Sequence, residues 1–153
     1  MSAEAKLAEL GIELPPPSAP KGAYRPLVIV DNLAYTSGHL PAAEDGSLIT
    51  GRLGDDLDQD AGYQAARRTG LAILSTLRAE LGSLDRVRQL IKVFGLVNGT
   101  PEFTAQPAVI NGCSELLIEV FGPDIGTGAR SAVGAASLPL GAAVEIEAVF
   151  EIQ

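Results

Sequence analysis

Residues Val144 to Ile152 alternate between apolar and mostly acidic side chains, and this pattern restricts the fold more than any other stretch. Val144, Ile146, Ala148, Phe150 and Ile152 fall on one side of an extended chain, and Glu145, Glu147, Val149 and Glu151 on the other. Successive strand side chains point to opposite faces, so this strand, predicted over Ala143–Ile152, belongs to a sheet with one apolar face. That face has to be covered by helices carrying an apolar stripe.

Two such helices are legible. From Gly62 to Leu81, the residues Ala66, Gly70, Ile73, Leu74, Leu77 and Leu81 recur at helical spacing, and Gly82 is placed to end the run. From about Pro107 to Phe121, Ile110, Cys113, Leu117, Val120 and Phe121 form a second stripe, closed by Gly122-Pro123. Strands are predicted at Leu27–Val30, Ala34–Ser37, Val87–Val97 and Ala129–Ala136. Asp31-Asn32 is a plausible hairpin turn, and Gly95 marks a bulge or a close backbone approach. A short strand at Ser47–Thr50 is expected within the glycine-rich loop 38–60. Ala3–Leu10 reads as a short helix stopped by Gly11 and by Pro15-Pro16-Pro17, so residues 1–23 form an amino-terminal arm on the surface of one domain, 24–153.

The order ββ(β)αβαββ leaves two long helices to cover one face of a wide sheet. The other face is solvated or covered by a partner. The small residues Ala132 and Gly134 suit a subunit interface there, with Arg130 and Glu145 inside or beside it.

Charge narrows the partners. The formal net charge is -8, which repels phosphate backbones and anionic membranes; nucleic acid and membrane are therefore not expected partners. A small acid would also be repelled at long range, so a site for one needs a local cation. Arg130 supplies it, at the head of a strand whose Ala132 and Gly134 leave space on the same face. The single cysteine, Cys113, excludes an intrachain disulfide and suits a reducing cytoplasm. The first ten residues have neither the basic nor the apolar region of a signal peptide, and no apolar run reaches the length of a membrane span.

With these residues in view, the chain resembles the Rid/YjgF family over about Tyr24 to Ile152. The resemblance rests on Tyr35-Thr-Ser-Gly-His-Leu-Pro41, on Asn111, on Ala129-Arg-Ser-Ala-Val133 and on Val144-Glu-Ile-Glu-Ala148. The stretch Gln106 to Gly122 is similar to a longer subgroup, of about 150 residues. The resemblance implies an α+β, chorismate-mutase-like fold: a mixed sheet with two long helices on one face, assembled as a homotrimer around a central barrel. It implies hydrolysis of reactive 2-imino or enamine acids to 2-keto acids and ammonia at clefts between subunits, as in a 2-iminobutanoate/2-iminopropanoate deaminase. Arg130 would grip the carboxylate; Tyr24, Ser37, Gly38 and Asn111 would line the site; Glu145 would activate the water. No cofactor and no metal are implied. The alternative is a non-catalytic trimer that senses keto or amino acids through the same clefts.

Two positions depart from the family pattern. Ala132 stands where a cysteine is common, and His39 where a glutamine is common. His39 can relay a proton or simply hold a loop, and Cys113, on an apolar helical stripe, reads as inert core. One histidine and one cysteine cannot build an ordinary zinc site. Asp56-Leu-Asp-Gln-Asp60 imitates the start of a calcium loop, but Ala61 and Arg67 stand where glycine and glutamate are needed. Those acids favour the amino terminus of the next helix instead. Gly122 to Gly128 reads as a turn. A ribonuclease reading fails for want of a basic, aromatic-interleaved patch.

Overall fold

The computed structural model describes residues 1–153. Its elements are α1 (Ala3–Leu10), β1 (Leu27–Val30), β2 (Leu33–Thr36), α2 (Gln59–Leu81), β3 (Val87–Asn98), α3 (Gln106–Phe121), α4 (Pro123–Gly126), β4 (Ala129–Ala135) and β5 (Val144–Ile152). The strands form one mixed sheet in the order β1-β2-β5-β3-β4. Every pairing is antiparallel except β3 with β4. Those two run parallel because α3 carries the chain back between them.

The alternation in β5 holds: Val144, Ile146, Ala148, Phe150 and Ile152 are buried, while Glu145, Glu147, Val149 and Glu151 are not. Helices α2 and α3 lie together on the apolar face. Between them the approach is set by Gly112, where a Cβ would stand 2.0 Å from the Tyr63 carbonyl oxygen and 3.0 Å from the Arg67 nitrogen. At Gly95 the sequence allowed either a bulge or a close approach. The structure has the close approach, since a Cβ there would meet the Ile110 side chain at 2.6 Å. The register shifts of β3 lie earlier, between Val87 and Lys92.

Helix α2 begins at Gln59, ahead of the expected Gly62, because the Asp58 carboxylate accepts the Ala61 N–H at 2.8 Å and caps it. The acidic run thus serves the helix terminus, as its composition suggested.

Three expectations need correction. No strand forms at Ser47–Thr50; the loop pairs only at single residues, Leu48 with Ala42 and Thr50 with Ala142. Within 122–128, Pro123–Gly126 makes one helical turn, with proline in its first turn where no N–H partner is needed. The amino-terminal arm does more than lie on the surface. Ala3 and Leu7 are buried in the common core, with Leu7 only 2% exposed. The Glu4 carboxylate accepts hydrogen bonds from Arg78 (Nη2, 2.6 Å) and from the Leu84 N–H (2.9 Å). Burying one leucine contributes about 1.5–3 kcal/mol, enough to hold a helix too short to persist alone.

The far face of the sheet has no helix over it. Val28, Val30, Tyr35 and Val133 are each more than two-fifths exposed there, beside the half-buried Phe94, Leu96 and Val149. Glu145, Glu147, Glu151, Lys92 and Ser131 share this face, and exposed apolar residues gathered on one side of a sheet among polar ones are the usual mark of a surface that a partner covers.

The Gly112 contact generates a prediction. Gly112→Ala should force α2 and α3 apart and lower the unfolding free energy by about 1–3 kcal/mol, read as a fall in the urea midpoint at unchanged slope. An unmoved midpoint would mean the helices do not pack at this separation.

Candidate functional site

The expected site residues fall into two groups on different parts of the chain. The first surrounds Gly38, just past the end of β2. His39 pairs with β5 through two backbone hydrogen bonds, His39 N–H to the Ile146 carbonyl (2.8 Å) and Ile146 N–H to the His39 carbonyl (3.1 Å). This lays Gly38 against the Glu145 side chain. A Cβ on Gly38 would stand 2.6 Å from Glu145 Oε2, so only glycine leaves the carboxylate in place. Glu145 is half-buried over a hollow of about 160 Å³ bounded also by Phe94, Leu96 and Glu147. Burial, reinforced by the negative charge of Glu147, raises its pKa above the ordinary carboxylate value.

Tyr24 and Ser37 stand on the other side of Gly38, lining a larger cavity of about 220 Å³. The Ser37 hydroxyl donates to the Arg25 carbonyl at 2.5 Å, a bond across the base of the β1–β2 hairpin. His39 borders the larger cavity but is only 7% exposed, and both of its ring nitrogens are occupied. Its Nδ1 lies 2.7 Å from the Ser37 carbonyl and its Nε2 2.8 Å from the Thr76 hydroxyl on α2. Both ring nitrogens are satisfied by the neutral tautomer protonated at Nδ1. The imidazole therefore pins the Gly38 loop to α2.

The second group is built on α3 and β4. The Arg130 Nη1 donates to Asn111 Oδ1 at 2.8 Å and to Ser114 Oγ at 3.2 Å. Asn111 and Ser114 are three apart and share a helix face, the spacing that could have singled out Ser114 from sequence. The Nε and Nη2 edge of the guanidinium makes no bond within the chain, and Arg130 is exposed, so its fork is free for a carboxylate.

The expectation that Ala132 and Gly134 line the open sheet face, with Arg130 and Glu145 inside or beside an interface there, needs correction for β4. Arg130 aligns with Val93 and Glu145 with Leu96, and alternation along β3 puts Val93 on the helix side and Leu96 on the open side. Ala132 and Gly134 also turn toward the helices: Ala132 packs against the core, and a Cβ on Gly134 would meet Gln106 Nε2 at 3.2 Å. They make room beside α3 rather than on the open face. A parallel β4 requires this, because its register with β3 fixes the parity of every side chain.

Cys113 is fully buried, and burial pushes its thiol up to about 12; it is inert core, as its place on the helical stripe suggested. No cluster of three His, Cys, Asp or Glu side chains gathers to hold a metal ion, and no helix is long and apolar enough to cross a membrane.

Known proteins are similar to this chain in sequence and in fold. A family profile described as "YjgF/chorismate mutase-like, putative endoribonuclease" matches residues 4–151. Protein TCP17 of Trypanosoma cruzi is 44% identical over 148 residues, covering 97% of this chain and 92% of its own. The crystal structure of Atu1372 from Agrobacterium tumefaciens, a protein of unknown function, superposes with a TM-score of 0.89 at 42% identity, covering 99% of this chain and 94% of that one. RidA from an Antarctic Psychrobacter superposes with a TM-score of 0.60 at 28% identity, over 90% of this chain and 94% of its own.

The His39 geometry carries a pH prediction. Desolvation by burial lowers its pKa below 6.5, outweighing the Ser37 hydrogen bond that raises it. The unfolded chain then binds the proton more readily, so the His39 contribution is fully present above about pH 6.5 and is lost as pH falls through the folded value. Melting temperatures from pH 8 to pH 5 should fall more steeply for wild type than for His39→Gln. Parallel slopes would remove His39 as the titrating group.

Proposed function

Because the chain belongs to the YjgF/Rid family, we propose that it hydrolyses 2-imino (enamine) acids to 2-keto acids and ammonia, as a homotrimer with a cleft at each subunit boundary. The supporting observation is that the chain carries two complementary half-sites that do not meet. One is the free Arg130 fork at the β4 edge; the other is Glu145 over Gly38, with Tyr24 and Ser37 beyond. The exposed apolar face gives the subunits a surface on which to associate and bring Arg130 of one copy to Glu145 of the next.

The chemistry follows from the residues. Arg130 binds the substrate carboxylate bidentately and fixes the iminium carbon, which is already electrophilic. Glu145 accepts a proton from water as its oxygen bonds to that carbon, giving a tetrahedral aminoalcohol. The proton then passes to nitrogen, the C–N bond breaks as the hydroxyl oxygen becomes the carbonyl and its proton goes by way of Glu145 to the departing ammonia, and the keto acid leaves with ammonium. A carboxylate whose pKa is raised by burial suits this exchange, since it is a better proton acceptor than an ordinary carboxylate and can return the proton afterwards.

Arg130→Ala should lower hydrolysis of 2-iminopropanoate by roughly 10²-fold or more, followed as loss of semicarbazide-trappable imine generated in situ by an amino-acid oxidase. Glu145→Gln should do the same. Mixing the two inactive variants, unfolding and refolding them together, should restore about a quarter of the wild-type rate, because some boundaries then pair an intact Arg130 with an intact Glu145. No recovery from properly refolded mixtures would place both residues in one chain's site and sink the composite cleft.

The pH dependence offers a separate check. Glu147→Gln removes a like charge beside Glu145, so the acid limb of kcat/KM should move to lower pH. An unmoved limb would mean another group limits the rate in acid.

The second reading, a trimer that binds keto or amino acids without turnover, is favoured by Ala132, which stands where a cysteine is common in the family. It predicts that 2-keto acids raise the melting temperature of a protein that leaves imine hydrolysis unaccelerated.

A further inference from the structure

The loop that carries Gly38 leaves the sheet through a β-bulge. Tyr35 pairs with Val149 and His39 with Ile146, so three residues on one side, Thr36 to Gly38, face two on the other, Glu147 and Ala148. The extra residue frees the backbone at Gly38, whose exposed N–H makes no hydrogen bond within the chain. Bulges re-aim a strand end at the cost of ladder hydrogen bonds, and they collect beside active sites.

Buried polar side chains stand in for the lost ladder. The polar side chains buried in the chain are Thr36, His39, Thr69, Ser75, Thr76 and Asn98, and half of them close on this loop. Thr36 Oγ1 accepts the Ala148 N–H at 3.0 Å. His39 donates from Nδ1 to the Ser37 carbonyl at 2.7 Å and accepts at Nε2 from Thr76 Oγ1 at 2.8 Å. A threonine inside a helix commonly returns its hydroxyl to the carbonyl four residues back, as Thr69 does to Ala65 at 2.9 Å. The Thr76 hydroxyl serves the loop instead. An apolar side chain would hold the loop by packing alone. A hydrogen-bonded chain from α2 through the imidazole to the Ser37 carbonyl also fixes its direction.

Resting on the deaminase reading above, we propose that Thr36, His39 and Thr76 are positioning residues for that reaction. Together they brace the bulge, keep Gly38 against Glu145, and so hold the carboxylate where it takes a proton from the attacking water. They act through Gly38, where a Cβ would stand 2.6 Å from Glu145 Oε2, so a small shift of the loop changes the space the carboxylate occupies. A misplacement of about 1 Å costs up to roughly 10²-fold in rate. Carboxylate binding belongs to Arg130 in the other half-site and does not depend on this loop. The brace therefore governs kcat and leaves KM alone.

Thr76→Val keeps the shape of the side chain and removes its hydroxyl. It should lower kcat for 2-iminopropanoate by roughly tenfold or more at nearly unchanged KM, and His39→Leu should match it. His39→Gln, which restores one donor and one acceptor, should recover most of the wild-type kcat. Thr69→Val removes a buried hydroxyl from the same helix away from the loop and should leave kcat unchanged. Full kcat in folded Thr76→Val and His39→Leu, or an equal loss in Thr69→Val, would overturn the brace and leave the deaminase intact. If wild type accelerates no imine hydrolysis, the deaminase reading fails, and a carbon-detected NMR titration of the Glu145 carboxyl decides the brace by itself. Burial raises that pKa first, and Glu147 on β5 adds to it. On β3 the adjoining Phe94 and Leu96 are uncharged, and Lys92 is bonded to Ser131. Because Glu147 and Lys92 stay in place, Thr76→Val should move the Glu145 midpoint toward the ordinary carboxylate value, and Thr69→Val should not. A midpoint unmoved in Thr76→Val would overturn the brace.

Discussion

The contact on which the rest of this structure depends is the one between Gly112 of α3 and the α2 backbone at Tyr63 and Arg67. With no side chain between them, the two helices sit close enough to share one face of the sheet. Alanine-sized spacing would widen the layer and uncover part of the β5 stripe. The same residue sets the rotation of α3. When Gly112 faces α2, its neighbour Asn111 turns toward β4, where it accepts from Arg130, with Ser114 one turn on. A packing requirement in the core thus aims a guanidinium at the surface.

Covering one face leaves the other bare, and this is where the electrostatics become interesting. Glu145 and Glu147 project from β5 onto the open sheet face, next to Phe94 and Leu96 and on the same face as Lys92, Ser131 and Glu151. A carboxylate on a fully solvated face would titrate normally. Here partial burial and a like charge two residues away raise the pKa of Glu145. Gly38 completes the arrangement, because the loop that His39 pins to α2 brings backbone, and no side chain, up to the carboxylate.

Several parts of this architecture were readable because they depend on local periodicity. The β5 alternation, the α2 and α3 stripes, the cap supplied by Asp58 and the inertness of Cys113 all follow from neighbouring residues and simple geometry. The loop 38–60 was harder. Its pairings at Leu48 and Thr50 involve isolated residues, too few to impose a strand pattern. The arm was harder still, for Leu7 is held at the core by partners that the short 3-10 turn at Leu84–Arg86 and Arg78 on α2 offer to Glu4. Nothing near Leu7 in the chain announces them.

The sequence by itself determined which residues face the helices in β5 and that a sheet face would be left without helical cover, and it singled out Arg130 as the candidate cation for a small acid. Those features are set by side-chain alternation and charge, which need no knowledge of distant contacts. The face that Arg130 occupies was decided only in three dimensions. Pairing of β4 with β3 in parallel register turned Arg130, Ala132 and Gly134 toward the helices and left Glu145 on the open side. The cavity behind Gly38 has the same origin, since its wall joins the arm, the loop after β2, α2 and the Leu140 turn, segments remote in the chain. Strand pattern specifies two alternating faces, but only pairing with a neighbour decides which one meets the helices.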